Sequence, residues 1–299
     1  MREAGFRFDE VSKDGITIRY AALGDPGSPL ILMLHGFPEY WAAWKEVMAR
    51  LCDRYHVVAP DQRGYNLSSK PGGVEAYRAR HLAGDVAMLA DVLSPGRPFV
   101  LAGHDWGASV AYAYAFAHPE RLSHLVIANG VHPSCFQRAI LEDEGQRQAS
   151  QYIHKLKAED AEARLSADGF RRLMRMISGF SKADWMTEDE ANAYREVWSR
   201  PGGLTGMLNW YRASPVIVPG PGSDAPHSPI LDMPAEAMTV RVPHLLVWGE
   251  ADEALRPVSI ERLGDYAPQL SVRKIAGAGH WILHEKPDEV SAAIRAFCV

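Results

Sequence analysis

Five short apolar runs constrain this chain more than any other feature. Leu30-Ile31-Leu32-Met33-Leu34, His56-Val57-Val58-Ala59, Phe99-Val100-Leu101-Ala102, Leu125-Val126-Ile127-Ala128 and Leu245-Leu246-Val247-Trp248 lack the apolar/polar alternation of a half-exposed strand. A strand that is apolar at successive positions has to be covered on both faces, as in a mostly parallel sheet flanked by helices. Helical patterns separate the runs: Trp41 to Leu51, His81 to Leu93, Trp106 to Ala117, Pro257 to Tyr266 and Pro287 to Phe297. Pro257 and Pro287 stand where a first-turn proline is tolerated, and Asp288-Glu289 fall in an acid-favouring first turn. Strand and helix in alternation predict an α/β fold. Phe6 to Val11 and Ile16 to Tyr20, joined through Lys13-Asp14-Gly15, predict an antiparallel hairpin on the sheet edge.

The alternation stops between about His132 and Met233. That interval carries helical patterns over 138–157, 159–177, 188–199 and 203–212, then prolines and glycines from Ser214-Pro215 through Pro219-Gly220-Pro221-Gly222 to Pro226 and Pro229, which predict loop. It reads as an all-helical lid inserted in a sheet domain, with core segments 1–132 and 237–299 and a cap over 133–236. The 299 residues allow one large core or two smaller ones. A net charge of −5 with no Lys/Arg stripe argues against nucleic-acid partners. No segment reaches the roughly 18 apolar residues of a membrane span, and Met1-Arg2-Glu3-Ala4-Gly5-Phe6-Arg7 has no apolar stretch. The expectation is a cytoplasmic protein with no membrane partner. Cys52, Cys135 and Cys298 are widely spaced and odd in number, which predicts reduced thiols, and no histidines show ligand spacing, which predicts no metal site.

Gly103-His104-Asp105-Trp106-Gly107 follows the Phe99–Ala102 run and opens the Trp106 helix. Glycine two residues either side of a polar residue at a strand-turn-helix marks a nucleophile elbow, too tight for Cβ atoms on its flanks. The central residue, Asp105, is held out just off a helix N-terminus, whose dipole favours an anion. Gly277-Ala278-Gly279-His280-Trp281 closes the last strand signal, Val272 to Ile275. Asp252 follows the Leu245–Trp248 run, with Glu250 as its competitor. Asn129, after the Leu125–Ala128 run, cannot carry the charge. The order nucleophile, acid, histidine points to Asp105, Asp252 and His280 as a catalytic triad. His35-Gly36-Phe37-Pro38 follows the first run, where a glycine turn can aim a backbone N–H at a reaction centre. Phe37 and Trp106 are thus the candidate oxyanion-hole donors.

His35-Gly36-Phe37-Pro38-Glu39, Asp61-Gln62-Arg63-Gly64-Tyr65, Gly103-His104-Asp105-Trp106-Gly107, Asn209-Trp210-Tyr211-Arg212 and Gly279-His280-Trp281 together resemble the epoxide hydrolases of the α/β-hydrolase fold, the aspartate-nucleophile group related to haloalkane dehalogenases. The likeness runs in order from about residue 5 to the C-terminus and is weakest in the lid. It implies an α/β-hydrolase core with a helical cap, no cofactor, and a pair of lid tyrosines that open the ring. Tyr211 matches the second and Tyr152 fits the first, with Tyr194 and His154 as competitors. Trp106, Phe37 and Trp281 are the expected substrate contacts, and Trp41, Trp44 and Trp185 are further aromatic residues for an apolar pocket or the core. Asp61 and Arg63 read as a buried loop ion pair, and His35 and His104 as structural.

An aspartate nucleophile suits displacement at sp³ carbon, where it forms an alkyl-enzyme ester. The expected reaction converts a small apolar epoxide and water to a vicinal diol. A haloalkane or fluoroacetate dehalogenase would use the same triad, but fluoride-binding relatives tend to carry Arg after the nucleophile, and relatives that release larger halides often carry Asn at the place of Phe37. A non-catalytic ligand-binding protein on this fold would have lost a triad residue, and none is lost. Which epoxide is taken, with what enantio- and regioselectivity, and the oligomeric state lie beyond residue types.

Overall fold

In the computed structural model, which describes residues 5–224 and 226–298, eight strands form one sheet in the order β1-β2-β4-β3-β5-β6-β7-β8. Met1 to Ala4, part of the start read above as free of an apolar stretch, lie outside the described residues. The strands are β1 (Arg7–Lys13), β2 (Ile16–Leu23), β3 (Leu30–Leu34), β4 (His56–Pro60), β5 (Phe99–His104), β6 (Leu122–Ala128), β7 (His244–Gly249) and β8 (Leu270–Ile275). β1 and β2 form the expected edge hairpin, and β2 runs antiparallel to β4. Every pairing from β4 through β8 is parallel.

The five apolar runs are the middle of this sheet, and β3, β4, β5 and β7 are buried at every position. Alternate residues enter opposite cores: Leu30, Leu32 and Leu34 face one, Ile31 and Met33 the other. α1 (Lys45–Leu51) and α11 (Pro287–Phe297) cover the second face through Val47, Met48, Val290 and Ile294. α2 (Ala79–Leu93) and α3 (Trp106–Ala117) cover the first through Val86, Leu89, Ala108 and Ala111. β8, at the far edge, exposes Ser271, Arg273 and Lys274, a charged edge that discourages pairing with another chain.

Between β6 and β7 the described residues form helices and loops only: α4 (Pro133–Glu142), α5 (Glu144–Ala149), α6 (Tyr152–Lys157), α7 (Ala161–Gly179), α8 (Glu188–Ser199) and α9 (Gly203–Ala213). The helix expected over 138–157 is three short ones. Asp143 leaves the helical conformation and accepts the Gln146 N–H at 2.6 Å, because an aspartate is worth more as an N-cap than inside a helix. A second break, at Ser150 and Gln151, places Tyr152 at the start of α6. α7 is interrupted as well, with Asp168, Gly169 and Phe170 all at φ between 53° and 63°. The capping box of Thr187 and Glu190 starts α8.

The helix expected over Pro257 to Tyr266 is reduced to isolated 3₁₀ turns at Pro257–Ile260 and Leu263–Asp265. Gly264 costs helix about 1 kcal/mol, and the Ser259 hydroxyl is committed to Gln146 Oε1 at 2.9 Å. The short α10 (Ile282–Glu285) leads into α11.

Candidate active site

β5 ends at His104 and α3 begins at Trp106, so Asp105 alone makes the turn. It does so at φ 51° and ψ −119°, a conformation that a non-glycine residue holds only when its surroundings impose it. Two glycines supply the space. A Cβ on Gly107 would lie 2.2 Å from the Leu34 carbonyl oxygen, and one on Gly36 would lie 2.3 Å from Asp105 Oδ1. Gly36 thus lets the turn after β3 close on the carboxylate, where the Phe37 N–H donates to Oδ1 at 2.7 Å. Trp106 is the first residue of α3, so its N–H is among those a helix leaves without an intrahelical partner.

β6, β7 and β8 lie side by side, and the turns that leave them bring the remaining polar groups together. His280 Nδ1 donates to Asp252 Oδ2 at 2.9 Å, and its Nε2 lies 3.6 Å from Asp105 Oδ2. Asp252 Oδ1 accepts the Ala254 and Leu255 N–H groups at 2.8 and 2.9 Å. Burial opposes the charge on His280, but the carboxylates of Asp252 and Asp105 outweigh it and raise the imidazole to about 10. Burial also pushes the Asp252 carboxyl up; the His280 charge and its hydrogen bond, with those from Leu255 and Asn129, bring it below its ordinary value. Glu250, the competing acid, is exposed.

Two supports of this arrangement have no signal in the sequence reading. Asn129, set aside there as uncharged, donates from Nδ2 to Asp252 Oδ2 at 2.6 Å and accepts the Gly249 N–H at 2.7 Å. It pins the acid from the side opposite Leu255. The second support is Glu39, wholly buried. Its Oε1 accepts from Tyr194 OH at 2.9 Å and His284 Nε2 at 2.6 Å, and its Oε2 lies 3.4 Å from His104 Nδ1. His104 Nε2 in turn donates to the main-chain carbonyl of His280 at 2.9 Å. Spacing hints at neither, because Asn129 meets Gly249 and Asp252, and Glu39 meets Tyr194 and His284, across 120 or more residues.

Above Asp105 lies a cavity of about 330 Å³ that Trp106, Tyr152, Tyr211 and Trp210 also line. The Tyr152 and Tyr211 rings meet edge to face at 6.4 Å. Burial raises both phenols above their ordinary range, the Asp105 charge adds to it, and both stay protonated. The competitors are elsewhere: Tyr194 is tied to Glu39, and His154 is exposed.

Of the three expected substrate contacts, only Trp106 lines the cavity. The Phe37 ring turns onto Tyr211 at 5.1 Å, and the Trp281 indole N–H is committed to the Ile177 carbonyl at 2.6 Å. Trp44 is core, Trp41 packs on Phe6 and Phe8, and Trp185 lies on His284. Asp61 and Arg63 are both buried but are not a pair. Arg63 binds Asp85 through two bonds of 2.6 and 2.8 Å, while Asp61 accepts from Trp41 N–H and Asn66 Nδ2. A residue two positions along the loop points away from Arg63, whereas Asp85 on α2 faces it.

Residues 29–287 match the family model described as alpha/beta hydrolase fold. The chain is 35% identical to the AB hydrolase superfamily protein YfhM of Bacillus subtilis, over 98% of each chain. It is 31% identical to Epoxide hydrolase A of Mycobacterium tuberculosis, over 96% of this chain and 95% of that one. The crystal structure of Bacillus megaterium epoxide hydrolase in complex with an inhibitor superposes with a TM-score of 0.87 at 30% identity, covering 97% and 99% of the two chains.

Proposed function

The chain belongs to the alpha/beta hydrolase fold family, and from that membership we propose that it hydrolyses an epoxide to a vicinal diol through an ester on Asp105. The observation that carries this reading is the pair of neutral phenols, Tyr152 and Tyr211, in the same cavity as the Asp105 carboxylate. An epoxide oxygen leaves as an alkoxide and needs a proton, which a phenol can give; a halide leaves as a stable anion and needs only N–H donors.

In the first step Asp105 Oδ2 attacks a ring carbon from the back, and the C–O bond on that carbon breaks. The alkoxide takes a proton from the tyrosine pair on the opposite side. Oδ1, already on the Phe37 N–H, becomes the ester carbonyl oxygen. Esterification removes the Asp105 charge, one of the two that hold His280 protonated, so the imidazolium gives its Nε2 proton to the tyrosinate left by ring opening and becomes a neutral base. In the second step His280 Nε2 takes a proton from water as the water oxygen adds to the ester carbon. The Phe37 and Trp106 N–H groups hold the oxyanion, and collapse expels Oδ2 with the product, which takes the proton of the newly formed carboxyl to give the diol and the Asp105 carboxylate. In this reading residues 133–236 are a cap, which supplies the two acids and keeps bulk water out, on a core of 1–132 and 237–299.

A single turnover in oxygen-18 water tests the ester. Mass spectrometry should find the label in Asp105 and none in the first equivalent of diol. Label in that first diol would mean direct attack by water and would overturn the mechanism. Tyr152→Phe and Tyr211→Phe should each slow ester formation by roughly 10²- to 10⁴-fold and change ester hydrolysis by less than about tenfold. Rapid-quench measurement of both steps checks this, and equal slowing of the two would remove the acid role.

A further inference from the structure

The cavity extends from Asp105 along α3. Its floor is a stripe of α3, Trp106, Val110, Ala113 and Phe116, spaced three or four residues apart and so on one face of the helix. At 1.5 Å per residue the stripe is about 15 Å long. Val216 and Met233 also line it, and Met233 is half exposed, which puts the cavity in reach of solvent there.

On the other side of the triad the space is filled. Phe180 touches Tyr152 and His280, each with ring centroids 6.3 Å apart, and its carbonyl accepts the His280 N–H at 3.3 Å. Behind it the Trp281 indole is fastened to Ile177, and Trp185 stacks on His284 at 3.7 Å. Neither Phe180, Trp281 nor Trp185 lines the cavity. A separate hollow of about 260 Å³, lined by Ile177, Ser181 and Trp185, lies beyond. Phe180 lines neither space, but by packing on both Tyr152 and His280 it occupies that side of the reaction centre.

An epoxide with its oxygen at the tyrosines and one carbon on Asp105 directs the substituents of its two ring carbons to opposite sides. One side is the α3 stripe; the other is Phe180. Resting on epoxide hydrolysis as the reaction, we propose that the substrates are terminal epoxides, with one extended apolar substituent lying along α3, and that Phe180 is the specificity-determining residue that rejects a substituent on the second carbon. The product is then a 1,2-diol with a free terminal CH₂OH.

The full chain assayed with 1,2-epoxybutane, 1,2-epoxyoctane and trans-4,5-epoxyoctane tests this. From butane to octane kcat/KM should rise by up to about fourfold per added methylene, the transfer of each CH₂ into the apolar arm. The terminal octane epoxide should exceed its internal isomer by roughly 10²-fold. Phe180→Ala should cut that ratio at least about tenfold by raising the rate on the internal isomer, and Ala113→Trp should lower the octane-to-butane ratio about tenfold. Equal rates on the two octane isomers in the wild type overturn the proposal and leave epoxide hydrolysis standing, as does an unchanged isomer ratio in a folded Phe180→Ala protein. No turnover of any of the three by folded wild-type protein overturns the epoxide reading and this proposal with it.

Discussion

Asp105→Ala is expected to lower epoxide turnover by roughly 10⁴-fold or more while the protein stays folded. In the proposed mechanism the carboxylate forms the covalent bond, so its loss would leave only what the phenols and the cavity do for direct attack by water, and residues that act as a unit fail together. The variant also takes one of two carboxylates from His280, which then titrates below the value of about 10 that it has beside both. Three measurements check the expectation: kcat on a terminal epoxide, the absence of an alkyl adduct in the mass spectrum, and thermal unfolding to show that the fold persists. Turnover within tenfold of wild type would remove Asp105 as the nucleophile. An unfolded protein would point instead to the contact of the carboxylate with the Phe37 N–H as the chief support of the turn at Gly36.

His280→Gln is expected to separate the two chemical steps. Asp105 keeps its place at the end of β5 and the phenols keep theirs, so one equivalent of epoxide is consumed and the enzyme gains the mass of the epoxide. Diol release then slows by roughly 10³- to 10⁴-fold, since no base is left to activate water. A variant that releases diol at a near-normal rate, or never gains mass, would show that His280 is not the base of the second step. The pH dependence carries a sign as well. In the resting protein His280 holds its proton up to about 10, because two carboxylates face it. In the ester only Asp252 still does, so the pKa governing ester hydrolysis should lie below that value, and the rate of that step should fall as pH drops through it. Single-turnover decay of the ester across pH measures it.

Much of this molecule was written in short segments. Strands apolar at every position specify burial on both faces, and β3 to β7 lie where such strands belong, in the middle of a parallel sheet. Gly103, Asp105 and Gly107 describe a tight turn because the requirement for missing Cβ atoms is local, and the chain order of Asp105, Asp252 and His280 follows from β5, β7 and β8, each of which delivers one residue beyond its C-terminal end. The misreadings share a cause. Over 138–157 and 257–266 the helical period was present, but capping by Asp143, the Ser259 bond to Gln146 and Gly264 broke it. Asp61 and Arg63 are neighbours in sequence, yet Arg63 found Asp85 on α2, and a guanidinium pairs with whatever carboxylate faces it.

Asn129 shows the limit most plainly. Its residue type ruled it out as the triad acid, and nothing nearby in the chain reveals that it holds the acid in place, because its partners Gly249 and Asp252 reach it across a sheet. The same holds for the lid candidates: Tyr152 stands in the cavity with Asp105, at the start of a helix that the period over 138–157 did not predict, while Tyr194 is tied to a buried Glu39. Phe180, which packs against Tyr152 and His280, is a residue that no motif contains. Patterns of burial, turn and residue chemistry act within a few residues and can be read along the chain. Which polar group satisfies which, and where space is left empty, are properties of contacts between separate segments of the chain, and these exist only once the fold has brought the segments together.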